Sequence, residues 1–387
     1  MKLTVLLGAL IALPALGTDF FVPALPALAE SYSVDAGAAQ LTITTYFGGI
    51  AAGQLLWGPL SDRYGRKPVL LAGLATMLAS SVAALAAESI VTLSAARAAQ
   101  GLGMSAGAVM GRSVVRDLYA HDQAARMLSA MMVVFSVVPI TAPLAGALLA
   151  GALGWQAIFA GMAAIAAALL AWVAFGLAES APEERRSAHP AAIARTFAHV
   201  LREPRFLAPF LLVLCCHVGI LAWVSNSALT LIRGMDVSPA AYGLMFAFVA
   251  TGQILGAAVG TRLIIRLGTP GVVRLGAGLL LAAGGSAAVF AWAGVAHWAV
   301  VVAPFALFLF GSALLIPTAT AAALTPFPSA AGSASSLMGA IGFSAGALVS
   351  TLLGAIFDGS ARPMATTAAA AGVCAFLFQK FYFNGKA

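Results

Sequence analysis

The sequence predicts an all-α membrane protein, and three observations carry that prediction. Of its 387 residues, 61% are hydrophobic and 9% charged, whereas a soluble domain is about 25% charged. So few charged side chains could not cover the apolar surface of a soluble fold. The apolar residues come in long continuous stretches, close to the ~20 residues a helix needs to cross a bilayer. Membrane β-barrels show short alternating segments instead. The 40 glycines fit helices that pack closely in lipid, where small residues let backbones approach.

Twelve apolar stretches can be drawn: 4–28, 38–60, 68–87, 90–115, 125–150, 155–177, 207–232, 239–265, 270–294, 298–323, 332–356 and 363–383. Met1 and Lys2 lead straight into the first with no small-residue cleavage site, so it is expected to be a retained helix rather than a signal peptide. The tenth and eleventh are separated by Thr325-Pro326-Phe327-Pro328-Ser329, a proline pair that ends one helix and turns the chain. The longest polar stretch runs from Glu179 to Arg205 and holds Glu183-Glu184-Arg185-Arg186, Arg195 and Arg202. It predicts a linker, 179–206, between an N-terminal half, 1–178, and a C-terminal half, 207–387. Within it, Pro190 to Leu201 fits an amphipathic surface helix.

The net charge is +7, and its distribution argues for topology rather than nucleic-acid binding. With the N-terminus in the cytoplasm, sixteen basic residues fall in cytoplasmic segments and only Arg233 and Arg362 on the opposite side, with Arg97 and Arg112 inside the fourth stretch. That asymmetry predicts both termini inside and an even number of crossings. The three cysteines, Cys215, Cys216 and Cys374, lie in apolar stretches and are expected to be buried thiols, with no disulfide framework or metal spacing.

Gly58-Pro-Leu-Ser-Asp62-Arg63-Tyr-Gly65-Arg66-Lys67 ends the second stretch. Gly65 suits a tight turn, Asp62 suits a helix N-terminal cap, and the three cations suit a cytoplasmic rim. The loop after the eighth stretch, Gly260 to Gly268, echoes it with Arg262, Arg266 and an Arg-x-Gly step. Related halves are the repeat logic of secondary transporters.

The Gly58–Lys67 loop resembles the signature loop of the major facilitator superfamily. Thr18-Asp19-Phe-Phe-Val-Pro23-Ala-Leu-Pro26 resembles the first-helix signature of the twelve-helix drug:proton antiporters. Arg97-Ala-Ala-Gln100-Gly101-Leu-Gly103, with Arg112-Ser-Val-Val-Arg116-Asp117, is similar to the fourth-helix motif of the bicyclomycin/chloramphenicol-resistance (Bcr/CflA) subfamily. Pro139-Ile-Thr-Ala-Pro143-Leu-Ala-Gly146 falls where the fifth-helix antiporter motif lies, with Ala142 and Ala147 where glycine is usual. Ser333 to Gly339 adds a C-terminal match. The resemblance implies a major facilitator fold of two six-helix halves in the bacterial inner membrane. It implies a gating latch built from Asp62, Arg63, Gly65, Arg66, Arg112, Arg116 and Asp117.

Asp19 is the only acidic residue deep inside an apolar stretch; the others sit at or between stretch ends. A carboxylate at membrane depth costs several kcal/mol unless protonated, paired or wetted, so it is a functional candidate by default. Arg97 is the second charge lipid does not tolerate alone. Asp19 and Arg97 are expected to be coupled directly, through Gln100 or through water, as the proton-coupling pair, with a purely structural anchor as the other reading of Arg97. A cavity for amphipathic ligands calls for apolar walls with a few polar groups, and Tyr46, Gln100, Met104, Phe135, Trp223, Asn226, Phe246, Gln253 and Phe343 are the candidates. His217 fits a satisfied helix histidine.

No nucleotide loop, zinc motif or metal cluster is present in the sequence. The expected function is proton-coupled multidrug efflux, drug for H⁺ by alternating access. The alternative is a proton-coupled transporter of a sugar or other small metabolite, which would want more polar side chains at midplane. The expected partners are drug-like amphiphiles, protons and the bilayer. The chain is expected to act as a monomer, with no metal and no cofactor besides the proton gradient.

Overall fold

The computed structural model describes residues 2–119, 121–181, 190–327 and 330–384. Glu183 to Arg186 of the linker, and Pro328 and Ser329 of the second turn, lie outside the described residues. Helices make up almost all of the described chain, and no strand occurs in it. Two compact units divide it, Met1–Arg195 and Thr196–Ala387.

The first unit holds α1 (Lys2–Asp19), α2 (Leu25–Ser31), α3 (Ala36–Tyr64), α4 (Arg66–Leu85), α5 (Ile90–Leu118), α6 (His121–Leu153) and α7 (Gln156–Gly176). A surface helix, α8 (Pro190–Arg202), crosses the boundary. The second unit holds α9 (Pro204–Ala228), α10 (Pro239–Trp292), α11 (Ala299–Leu324), α12 (Ala331–Ala355) and α13 (Arg362–Asn384). Each of the twelve apolar stretches falls on helix. Among the described residues, eight helical segments are long and apolar enough to cross a membrane.

Two departures from the expected stretches have clear causes. The first stretch is not one helix. α1 ends at Asp19, a short 3₁₀ turn spans Val22–Ala24, and α2 follows. Pro23 and Pro26 withhold backbone N–H donors and disfavour α geometry in the residue before each. Two other stretches share α10, which is two helices joined where Gly268 leaves helical geometry (φ 63°, ψ 172°).

Small residues set the packing. In the first unit α5 packs against α1, α3 and α4. A Cβ at Gly49 or Gly101 would strike the facing α5 or α3 backbone, and at Gly103 the α4 backbone. In the second unit α11 takes the same role against α9 and α10, with Gly252 and Gly256 lying on the α11 backbone. Gly49, Gly53, Gly65 and Gly73 each recur 203 residues later, as Gly252, Gly256, Gly268 and Gly276. Gly65 and Gly268 both hold positive φ, 99° and 63°. The repeat is therefore visible in backbone approach points.

Candidate functional site

Asp19 closes α1 and is 5% exposed. It sits where the chain leaves helical geometry inside a 30-residue apolar segment, Lys2–Ser31. Neighbouring helices hold the backbone around it. A Cβ on Gly17 would strike the Tyr46 hydroxyl and Met104 Sδ, and one on Gly146 of α6 would strike the Phe20 carbonyl. The Pro139-to-Gly146 motif thus delivers its glycine to the residue after Asp19, with both prolines inside a continuous α6.

Arg97 lies on α5 with no exposed surface. Its Nη2 donates to the Gly17 carbonyl at 3.0 Å and its Nη1 to Gln100 Oε1. The guanidinium carbon lies 4.1 Å from the centre of the Tyr46 ring and 4.4 Å from that of Phe21. Two aromatic faces and a carbonyl thus stabilise a buried cation that has no ion pair among the described residues. Gln100 Nε2 continues the network to Ser81 Oγ at 2.7 Å and Met162 Sδ at 3.2 Å. The Tyr46 hydroxyl lies 2.9 Å from the Pro14 carbonyl and 3.1 Å from Met104 Sδ.

Asp19 and Arg97 form no ion pair among the described residues, where Arg66 pairs with Asp62 and Asp117 within 4.0 Å. Of the expected routes, direct, through Gln100 or through water, the direct ion pair does not form; Arg97 binds the carbonyl two residues before the carboxylate. The neighbouring Thr18 hydroxyl donates to the Pro14 and Ala15 carbonyls at 3.1 and 3.0 Å. Tyr46, Gln100 and Met104, candidates for ligand contact, are fully buried and engaged in this network. Gly17, Phe21, Ser81 and Met162 belong to the same network and did not emerge from the sequence, because their types are ordinary in apolar helices.

At the other end of the first unit, Arg66 organises the signature loop. It donates to Asp62 Oδ1 at 2.6 Å, Asp117 Oδ2 at 2.8 Å and Ser61 Oγ at 2.6 Å. Asp62 is not a helix N-cap, as the sequence suggested. It lies in the last turn of α3 and pairs forward onto Arg66. The N-terminus of α4 is capped by Glu179, which follows α7. Its Oε1 accepts from Arg66 N at 2.9 Å and its Oε2 from Lys67 N at 3.2 Å. Partial burial pushes the Glu179 carboxyl up, but N–H groups of Ala181, Arg66, Lys67 and Ser180 outweigh it and hold the carboxyl below the usual carboxylate range. Gly65 is required twice, by its positive φ and because a Cβ there would lie 2.5 Å from Glu179 Oε2. Arg63, exposed, lies over the Tyr64 ring. Arg112 and Arg116 are also exposed, and Arg116 reaches Ser113 Oγ at 3.3 Å. These three arginines stand outside the Arg66 cluster.

The second unit places aromatic groups where the first places charge. Gly73 faces the Gly103 carbonyl, and Gly276 faces the Gly311 carbonyl in the same way, both at 3.1 Å. In that register Arg97 and Gln100 correspond to Phe305 and Phe308. Trp223, fully buried, packs its ring 5.1 Å from Phe305 and 5.8 Å from Phe246. Trp223 Nε1 and Asn226 Nδ2 are buried with no hydrogen-bond partner among the described residues, whereas Asn226 Oδ1 accepts from Thr230 Oγ1 at 2.9 Å. Phe135 on α6, Gln253 on α10 and Phe343 on α12 are half-buried. His217 Nδ1 bonds the Val213 carbonyl at 3.0 Å, as a satisfied helix histidine does. Cys215 and Cys216 are buried, but Cys374 is exposed, because it faces an open groove between α13 and α9. No metal-ligand cluster occurs among the described residues.

The model of the Major Facilitator Superfamily matches residues 7–351. The chain belongs to that superfamily. As a facilitator it is a transporter rather than an enzyme, a multi-pass protein of the bacterial inner membrane. It is 27% identical over 378 residues to the bicyclomycin resistance protein homolog of Haemophilus influenzae, covering 97% of this chain and 94% of that one. It is 30% identical over 346 residues to multidrug resistance protein D of Escherichia coli K12, covering 88% and 85%. A chloramphenicol resistance protein of Pseudomonas aeruginosa is 36% identical over 277 residues, 70% of this chain and 64% of that one. These relatives match the Bcr/CflA resemblance of the sequence motifs. Among solved structures, the xylose transporter XylE from E. coli superposes with a TM-score of 0.75 at 14% identity, covering 98% and 97%. A POT family transporter gives 0.77 at 14% identity, covering 100% and 95%. At that identity the likeness establishes the fold alone.

Proposed function

We propose that this facilitator expels amphipathic drugs from the bacterial cell in exchange for protons, by alternating access, with both termini in the cytoplasm and twelve crossings. Relatives named for resistance to bicyclomycin, chloramphenicol and multiple drugs support the substrate class. The observation that carries the coupling is Asp19, a carboxylate buried at the break between α1 and α2 with no ion pair among the described residues. A group so placed exchanges a proton with its surroundings more readily than it holds a fixed charge. Arg97 serves as the anchor that fixes the backbone beside it.

We assign substrate recognition in the second unit to Trp223, Asn226, Phe246, Gln253 and Phe343. Aromatic faces accept varied apolar bodies, and the unpartnered amide and indole N–H groups offer donors. The cluster of Arg66, Asp62 and Asp117 is the gating latch. The protein works as a monomer and draws on the proton gradient, with no other cofactor.

Reconstitution tests the reading. Proteoliposomes should transport chloramphenicol and a cationic dye when a pH gradient is imposed and should fail when it is collapsed. Equal flux with and without the gradient would refute proton coupling. Gradient-driven movement of a sugar, without movement of either drug, would refute the substrate class.

A further inference from the structure

The second unit carries a groove of about 640 Å³ that no residue of the proposed transport site lines. Its size falls within the ~300–1,000 Å³ of small-molecule sites. One wall is α13, lined along four turns by Arg362, Thr366, Ala370, Cys374 and Phe378. At 1.5 Å per residue that wall is about 24 Å long, longer than the ~15 Å depth of one leaflet of a bilayer core. The facing wall is α9, with Leu211, Leu214 and Val218. Except at one end, the walls are apolar.

That end holds two opposite charges and a tryptophan. Arg362 lays its guanidinium over the Trp292 ring at 5.2 Å, and its Nε donates to the Ala291 carbonyl at 3.4 Å. It makes no ion pair within 4.0 Å among the described residues. Asp358 is exposed, and its Oδ1 accepts from Ser360 Oγ at 2.6 Å and Ser360 N at 2.9 Å. The Ser360 hydroxyl, foremost, holds the Asp358 carboxyl below the usual carboxylate range, so it is ionised at neutral pH. Trp292 is 63% exposed and donates from Nε1 to Thr366 Oγ1 at 3.0 Å. An exposed tryptophan at a helix end is the side chain that settles at headgroup level.

A slot of membrane length with a cation and an anion at its rim complements one kind of molecule. A phospholipid whose headgroup carries both a phosphate and an ammonium matches each charge, and its acyl chain matches the walls. An acidic lipid would satisfy Arg362 but face Asp358. A cationic drug would satisfy Asp358 but face Arg362. We propose that this groove is a binding site for one zwitterionic phospholipid of the phosphatidylethanolamine type, with phosphate on Arg362, ammonium on Asp358 and an acyl chain along α13.

Cys374 reports on it, since it lines the groove and is exposed while Cys215 and Cys216 are buried. The full-length protein in mild detergent is labelled with a maleimide at Cys374, with Cys374→Ser as the blank. Dioleoyl phosphatidylethanolamine, dioleoyl phosphatidylglycerol or dioleoylglycerol is then titrated in. Phosphatidylethanolamine should slow labelling at concentrations about tenfold below the other two, and Arg362→Gln should raise that concentration about tenfold, the loss expected of one charge-assisted partner. Asp358→Asn should make phosphatidylglycerol as protective as phosphatidylethanolamine. Equal protection by all three lipids, protection by cationic drug in preference to lipid, or protection that rises only with protein concentration would each overturn the proposal. Should the variants fail to fold, native mass spectrometry of the unaltered protein decides. Retention of one phosphatidylethanolamine in preference to phosphatidylglycerol supports the site, and no preference rejects it.

Discussion

Replacing Glu179 by alanine should loosen the start of α4 without disturbing the bundle. In the structure one carboxylate serves the first two N–H groups of that helix, Arg66 N at 2.9 Å and Lys67 N at 3.2 Å. No residue next to α4 supplies a side-chain cap, because the cap position is Gly65. Loss of an N-terminal cap costs about 1 kcal/mol, and 1 kcal/mol changes a local opening equilibrium about fivefold. Hydrogen exchange followed by mass spectrometry on peptides covering 61–70 should therefore show roughly fivefold faster exchange at Arg66 and Lys67 in Glu179→Ala. Glu179→Gln should fall between, since it keeps one acceptor and turns an amide donor toward the other N–H. The pH dependence has a definite sign. Backbone donors hold the Glu179 carboxyl low, so its contribution is complete above the usual carboxylate range and is lost as pH falls through the depressed folded value. Protection should stay level from neutral pH down to that range, and wild type should approach the alanine variant only in stronger acid. Unchanged exchange at these two amides in Glu179→Ala would refute the assignment of the cap.

Asp19→Asn should abolish gradient-driven drug efflux while leaving drug binding measurable by fluorescence quenching; transport against a gradient at the wild-type rate would remove Asp19 from the coupling role. Arg97→Lys should behave like Arg97→Gln, because an ammonium cannot reach both the Gly17 carbonyl and Gln100 while stacking between two rings; unfolding titrations should show each losing ~1.5–3 kcal/mol, and full stability of the lysine variant would contradict the geometry. Gly146→Ala should cost ~1–3 kcal/mol, since the new methyl meets the Phe20 carbonyl, and should slow transport more than Ala142→Gly does; equal transport rates in the two variants would show that the close approach of α6 does not matter.

The fold was legible because its determinants are local and repeated. Length of apolar stretch, proline pairs and the charge of connecting loops placed twelve helical segments where helices occur. The repeat was legible more deeply than the loop echo suggested, since four glycines recur at one spacing and each marks a backbone approach or a positive φ. What the sequence concealed were contacts between positions far apart in the chain. Glu179 lies 113 residues from Arg66 and looks like the first residue of a linker. Ser81 and Met162 look like helix filler until Gln100 reaches them. Asp62 seemed a cap because it precedes a glycine and a helix, but it belongs to the turn before, and its partner is four residues ahead.

The relation of Asp19 to Arg97 shows the limit of charge inventory as a guide to pairing. Two opposite charges in an apolar bundle invite the inference that they neutralise each other. A buried ion pair recovers its desolvation cost only with good geometry and further hydrogen bonds. Here the cation is held without the anion, by a carbonyl, an amide oxygen and two aromatic faces, while its buried Nε makes no hydrogen bond among the described residues. Those groups fix where the end of α1 lies, and Gly146 fixes it from the other side. The carboxylate is thereby held in place through its backbone rather than through its charge. A counter-ion would have fixed both at once and made proton uptake compete with a salt bridge. Holding position and charge by separate means leaves the Asp19 carboxyl located but without an ion pair among the described residues; under the proposed coupling role, that separation would let one group take up and release a proton without dismantling the helix contacts around it.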